Sequence, residues 1–299
     1  MASLDIIEQA LTEKLIDSPF DFPQLPSHTL TVRQLAAKSS VHLNEIVLLI
    51  EQDKGLSKHL EKLADSPLYR QPLPPYDLKG AIVRIGIKAT SNVILTYVLK
   101  NLFTCQTYMA RKYQGEIWQH SLVFAALSSI LAKHVGTIDT DKALLSSLLQ
   151  DVGSLFLVTQ LDDYPDVVSV PQNVRVLCNQ LNRVLGTKLI DSWQLPNSFN
   201  NVIKTKDFWA FSASKKYNLI DHTLIARYLF LYQNPRTKPT PELSSLASFQ
   251  KSPFQYWRHA DPMRIYATIY AETTQLVDML GGNAKGILIP PPRSAFGKY

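Results

Sequence analysis

The chain has 299 residues, of which 45% are hydrophobic and 19% charged. That length suits one large domain or two small ones, and the composition excludes a solvated, disordered chain. The formal net charge of +6 comes from Lys and Arg scattered singly or in pairs, so it permits nucleic acid binding without indicating it.

The N-terminal stretch carries Asp5, Glu8 and Glu13 and no apolar h-region, so no signal peptide is expected. Helical period then recurs along the chain. Asn44 to Asp53 places Ile46, Leu49 and Ile50 on one face, and Leu56 to Ala64 repeats Leu56, Leu60 and Leu63. Ala81 to Leu99 carries Ile82, Ile85, Ala89, Val93 and Tyr97 at three- and four-residue steps. Ile117 to Val135 repeats Ile117, Phe124, Leu127 and Leu131, and Lys142 to Leu161 repeats Leu144, Leu148, Val152, Leu155 and Val158. Ile220 to Tyr232 and Pro262 to Leu280 continue the pattern.

Helix starts are marked by Asp77, by Asp139 or Thr140, and by Pro196 in a first turn. Breaks fall at 18–26, 66–75, 162–172 and 234–242, and Asn-Gly or Asp-Gly hairpin turns between alternating segments are absent. An all-α fold follows. The purely apolar runs, such as Leu122 to Leu127, fall far short of the roughly 20 residues a membrane helix needs. With two cysteines, Cys105 and Cys178, outside any Cys-x-x-Cys spacing, a cytoplasmic protein is expected.

The stretch from Thr31 to Ile50 has the outline of a helix-turn-helix. Its second helix offers Asn44 and Glu45 and then Val47, Leu48, Leu49 and Ile50, which belong in a core rather than in a groove. No Gly-rich phosphate loop is present. Cys105 and Cys178 read as small core residues, not nucleophiles.

Several segments, taken in order, resemble the HDOD domain, a bacterial relative of the HD phosphohydrolases. Phe22-Pro23-Gln24-Leu25-Pro26 is similar to its opening Leu-Pro stretch. Leu63-Ala64-Asp65-Ser66 followed by Tyr69 is similar to its Ala-Asn-Ser segment, with Asp65 at the usual Asn. Ala81 to Gly86 resembles its Leu-Gly helix, and Trp118-Gln119-His120-Ser121 its Trp-x-His-Ser. Gln150-Asp151-Val152-Gly153-Ser154 falls at the His-Asp motif, and Gly186, Trp193, Leu195 and Pro196 match the later Gly…Trp-x-Leu-Pro. The resemblance spans roughly Phe20 to Lys206. It implies an all-helical HD-like bundle and a role in bacterial signalling and regulation.

It also implies where metal ligands would lie, and there the chain departs. Active HD enzymes hold metals through His and Asp, and the metal activates water for attack on phosphorus. Here the motif His is Gln150, the Lys that often follows the motif Gly is Ser154, and the downstream His position is Asn182. A later His pair is missing, because Ile203 leads into Lys204, Thr205 and Lys206. His120 and Asp151 are the ligands that survive. The resemblance therefore implies a vestigial cleft of His120, Gln150, Asp151 and Asn182, with His120 as the natural partner of a buried Asp151. No catalytic residue, metal or cofactor is expected.

The domain organisation that follows is an N-terminal helix at 1–18, an HDOD-like domain at 19–210, a helical C-terminal extension at 211–285 packed on it, and a flexible tail at 286–299. Trp209, Tyr256, Trp257 and Arg258 form a candidate interaction surface. The simpler reading of these late aromatics is that they pin the C-terminal helices to the bundle, and stacking on single-stranded nucleic acid ranks last. The expected function is non-catalytic regulation by binding a protein partner, such as a signalling enzyme, with room for a small ligand. The alternatives are a metal-dependent phosphohydrolase acting on a nucleotide or phosphate ester and, behind it, a nucleic-acid-binding regulator.

Overall fold

The computed structural model describes residues 4–17, 20–36, 42–65, 75, 77–212, 214–237, 239, 241–253 and 261–295. Among these the chain is helical and holds no strand. It divides into two compact units. One comprises residues 1–22, 104–278 and 282–299, the other residues 23–103 and 279–281. The span 19–210 therefore contributes to both units, and the helices beyond 211 join the first.

The smaller unit contains α2 (Ser27–Ala36), α3 (Leu43–Ile50), α4 (Lys54–Ala64), α5 (Leu78–Ile85) and α6 (Ile87–Leu102). Asp53 starts α4 by accepting from the Gly55 and Leu56 nitrogens, both at 2.9 Å. The apolar face it launches, Leu56, Leu60, Leu63 and Ala64, is buried. Asp77 caps α5 in the same way through the Gly80 nitrogen at 2.7 Å. The helical period from Ala81 to Leu99 does not produce one straight helix. Gly86 adopts φ +88° and ψ 144°, a conformation that glycine alone takes readily, and α5 and α6 meet there at 108°. This bend explains the glycine of the Leu-Gly segment.

The larger unit is built on α7 (Tyr108–Val135), with α1 (Leu4–Thr12), α8 (Thr140–Leu148), α9 (Val152–Gln160), α10 (Pro165–Val168), α11 (Pro171–Ser192), α12 (Asn197–Lys204), α13 (Leu219–Tyr232), α14 (Ala247–Gln250) and α15 (Pro262–Met279). Asp162 fixes the start of α7 from a distance. Its carboxylate accepts from the Gln106 and Thr107 nitrogens at 2.6 and 2.9 Å, and Gly136 at φ +73° ends the helix. One core runs from Phe124, Leu127 and Leu131 of α7 through Ile225 and Leu229 of α13 to Ile265 and Ile269 of α15.

The stretch expected to be a flexible tail begins tied down. The Gln233 side chain donates to the Ile287 carbonyl at 3.0 Å and accepts from the Ile289 nitrogen at 2.7 Å, and Leu288 is buried. The run Thr140–Asp163 is long and apolar enough to cross a membrane, but 83% of its apolar window is buried inside this unit, as in a core helix.

Candidate functional site

The period from Lys142 to Leu161 predicts one helix, yet the structure breaks it at the motif. A 3-10 turn, Leu149–Asp151, separates α8 from α9. The cause is Asn182 on α11. Its side-chain nitrogen donates to the Gln150 carbonyl at 2.9 Å, and its oxygen accepts from the Ser154 nitrogen at 2.9 Å. Those two backbone groups would bond each other in an unbroken α-helix, so the buried amide is spliced into the ladder. Close approach of α9 and α11 makes the splice possible. A Cβ on Gly153 would collide with the Asn182 carbonyl and lie 2.6 Å from the Gly186 nitrogen.

The splice presents Asp151 to a cleft of about 380 Å3 in the larger unit. Tyr113, Glu116, Ile117 and His120 line it from α7, Asp151 and Ser154 from the break, Pro171, Val174, Arg175, Cys178 and Asn179 from α11, Lys206 from beyond α12, and Arg227 from α13. Two of the four residues expected there do not line it. Gln150 is 1% exposed and Asn182 5% exposed, both turned into the protein. Asn182 is held by the backbone it bridges and acts as a structural clamp.

His120 is not the partner of Asp151. The Lys206 ammonium makes a short charged hydrogen bond to Asp151. Lys206 arrives from the turn that closes α12, where Asp207 takes φ +60°, and Asp207 itself holds the Arg227 Nε at 3.1 Å. Arg227 lies 5.7 Å over the Phe124 ring and 5.9 Å over Phe230. Burial pushes the Asp151 carboxyl up, but Lys206, then Arg227 and His120, outweigh it and hold it below the usual carboxylate range. His120 keeps one side open to solvent, stands edge-on to Phe230 at 6.1 Å, and has its pKa lowered by partial desolvation of the ring and by the Arg227 charge. Lys206 reaches Asp151 from the turn after α12 and takes the place expected of His120 as its partner.

This set does not fit a divalent metal. The Asp151 carboxylate is engaged by a cation, a second cation stands beside it, and Gln150 and Asn182 face away. Among the described residues no group of three or more His, Cys, Asp or Glu side chains is placed to hold a metal ion. Cys178 lies in the cleft wall with its thiol pushed up to about 11 by burial, and Cys105 is pushed up likewise, so neither is an activated nucleophile.

Lys206, Arg227 and Arg175 escape a reading of the sequence. Lys206 has a signal there, since it stands where the resembled family can carry histidine, but the signal reads as a missing ligand rather than a substitute cation. Of the candidate interaction surface, Trp209 is half-buried against the core and edge-on to Tyr228 at 5.9 Å. Tyr256, Trp257 and Arg258 lie outside the described residues.

Helices, motif spacing and cleft together define an all-helical, HD-like fold. The HDOD domain family model matches residues 22–207, and the chain belongs to that family. It is 25% identical over 211 residues to an uncharacterized protein of Treponema pallidum (strain Nichols). The match takes in 65% of this chain and spans 39% of the relative's length. Among solved structures, one from Shewanella amazonensis SB2B, provisionally named a metal-dependent phosphohydrolase, matches with a TM-score of 0.66 at 19% identity, covering 91% of this chain and 100% of its own. Another, from Marinobacter aquaeolei VT8 and provisionally named a signal transduction protein, matches with a TM-score of 0.63 at 15% identity, over 93% of this chain and 65% of its own. At these identities the likeness is one of fold.

Proposed function

We propose that this HDOD protein is a non-catalytic regulator that works in the bacterial cytoplasm by binding a protein partner, with the cleft as a place where a small ligand can act on it. The observation that carries this reading is the Lys206 ammonium on Asp151. A charged lysine beside the motif carboxylate opposes metal entry by direct repulsion, and the other motif positions supply no replacement ligand. Family membership and the name of the Marinobacter structure agree with a signalling role. The competing reading, metal-dependent hydrolysis of a phosphate ester, is favoured by the name of the Shewanella structure and opposed by the donor set.

Metal analysis of protein purified without chelator, paired with a p-nitrophenyl phosphate assay in Mn2+ and Mg2+, decides between them. The expected outcome is metal well below one equivalent and no turnover above that of an Asp151→Asn variant. Stoichiometric metal with turnover lost in that variant establishes the hydrolase.

A further inference from the structure

The cleft carries more hydrogen-bond donors than the protein uses. An ammonium has three N–H donors and a guanidinium five. Lys206 gives one to Asp151, and Arg227 gives its Nε to Asp207. Arg175 is exposed at the cleft and has no carboxylate within ion-pair distance among the described residues. The Tyr113 hydroxyl is shielded from solvent with no hydrogen-bond partner among the described residues. Against these stand two lining carboxylates, Asp151, already engaged, and Glu116 at the exposed end of the wall. The opposite character is present too, since Ile117, Pro171 and Val174 form an apolar wall. The volume falls within the roughly 300–1,000 Å3 of small-molecule sites.

We infer that the cleft binds a small organic oxyanion, a carboxylate or phosphoryl group on a ring-sized apolar body, without any metal. The head accepts from Arg175 and Arg227, whose planar guanidinium forks suit two oxygens of one head group, and from the Lys206 ammonium, which adds a point charge. The body lies on Ile117, Pro171 and Val174. Lys206 thus has two tasks: it neutralises Asp151, which would otherwise repel an anion, and it offers its remaining N–H groups to the ligand. The inference rests on the reading of the site as metal-free and gives that site a ligand class.

Calorimetric titration of the full chain in EDTA tests it, with phenyl phosphate, phenylacetate, 2-phenylethanol and inorganic phosphate as probes. At least one of the two aromatic anions is expected to bind saturably, and which one does identifies the head group. The neutral alcohol and inorganic phosphate are each expected to bind about tenfold more weakly or worse. Arg175→Gln, at an exposed position with no ion-pair partner among the described residues, is expected to weaken the anion about tenfold and leave the melting temperature unchanged. Failure of both aromatic anions to bind overturns the inference, as does equal binding of the alcohol or an Arg175→Gln variant that binds as well as the parent. Release of phosphate from phenyl phosphate on adding Mn2+ overturns instead the non-catalytic reading, so the two failures are told apart.

Discussion

Asp221 and Asp151 are each paired with a lysine in the same unit, and their surroundings differ sharply. Asp221 is fully buried. Its carboxylate accepts from Lys251 at 2.6 Å, from the Ser248 hydroxyl at 2.9 Å and from the Asn218 nitrogen at 3.2 Å, while Lys251 also donates to the Ser214 carbonyl at 3.0 Å. That set joins the capping box of α13 to α14 and its following turn. Asp151 and Lys206 keep about a fifth of their side-chain surface, at 18% and 20%, and hold one bond between them, with unused donors all around. The first pair is closed and works as structure. The second is open on the donor side, which is the condition of a binding site.

The sharpest way to test the contrast is to remove each lysine. Lys251→Met leaves a buried, uncompensated carboxylate and is expected to cost about 3–5 kcal/mol of unfolding free energy in a denaturant titration. Adding Asp221→Asn should recover only part of this, because Ser248 and Asn218 are built around a charged acceptor. Full recovery would mean that the closed network contributes no more than its charges do.

His222, next to Asp221 and fully buried, adds a pH signature to the closed region. Its Nε2 donates to the Ser128 carbonyl at 2.9 Å, so Nδ1 accepts from the Tyr217 hydroxyl at 3.1 Å. Burial lowers its pKa to about 4, with the Ser128 carbonyl opposing. Between that value and the ordinary 6.5 the unfolded chain binds the proton and the folded one does not, so stability is complete above pH 6.5 and falls as the pH drops. The expected loss is about 3 kcal/mol over the whole window and about 2 kcal/mol between pH 6.5 and 5. Melting curves of a His222→Gln variant should lose most of that slope, and an unchanged slope would assign it to other groups.

Lys206→Met is the counterpart at the cleft. With both side chains partly solvated, the expected loss is about 2–3 kcal/mol, below that for Lys251→Met. Here the double variant with Asp151→Asn should return close to the parent, since no further bond depends on the charge. If instead the double variant stays as damaged as the Lys251 pair, the cleft is as closed as the core and the contrast fails.

The helical architecture was legible in the sequence because apolar period and caps act locally. Asp77 and Asp139, both expected as helix starts, accept backbone hydrogen bonds where their helices begin. The bend at Gly86 and the break at Asp151 were not, because apolar period runs straight through both. One depends on a positive φ and the other on an amide arriving from α11. His120 and Asp151 both line the cleft, though Lys206 and not His120 pairs with Asp151. Gln150 and Asn182 do not line it, since motif spacing fixes which residue stands at a turn but not whether its side chain faces out. Lys206 and Arg227 were hidden for a related reason: each reaches the site through a tertiary contact, Lys206 with Asp151 and Arg227 with Asp207, that no local pattern encodes.

Asn182 tests the boundary between the two kinds of polar group, because it is buried and satisfied like Asp221 yet stands behind the open cleft. Asn182→Ala removes two hydrogen bonds, but the Ser154 nitrogen and Gln150 carbonyl it bridges are four residues apart on one helical path and can rejoin. The expected loss is therefore modest, about 1–2 kcal/mol. Asn182→Asp should lose more than Asn182→Ala, because a carboxylate accepts from Ser154 but cannot donate to Gln150 and sets a charge against its carbonyl. The reverse order, with Asp tolerated better than Ala, would mean that position 182 faces a cation after all, and would return it to the cleft as a ligand residue.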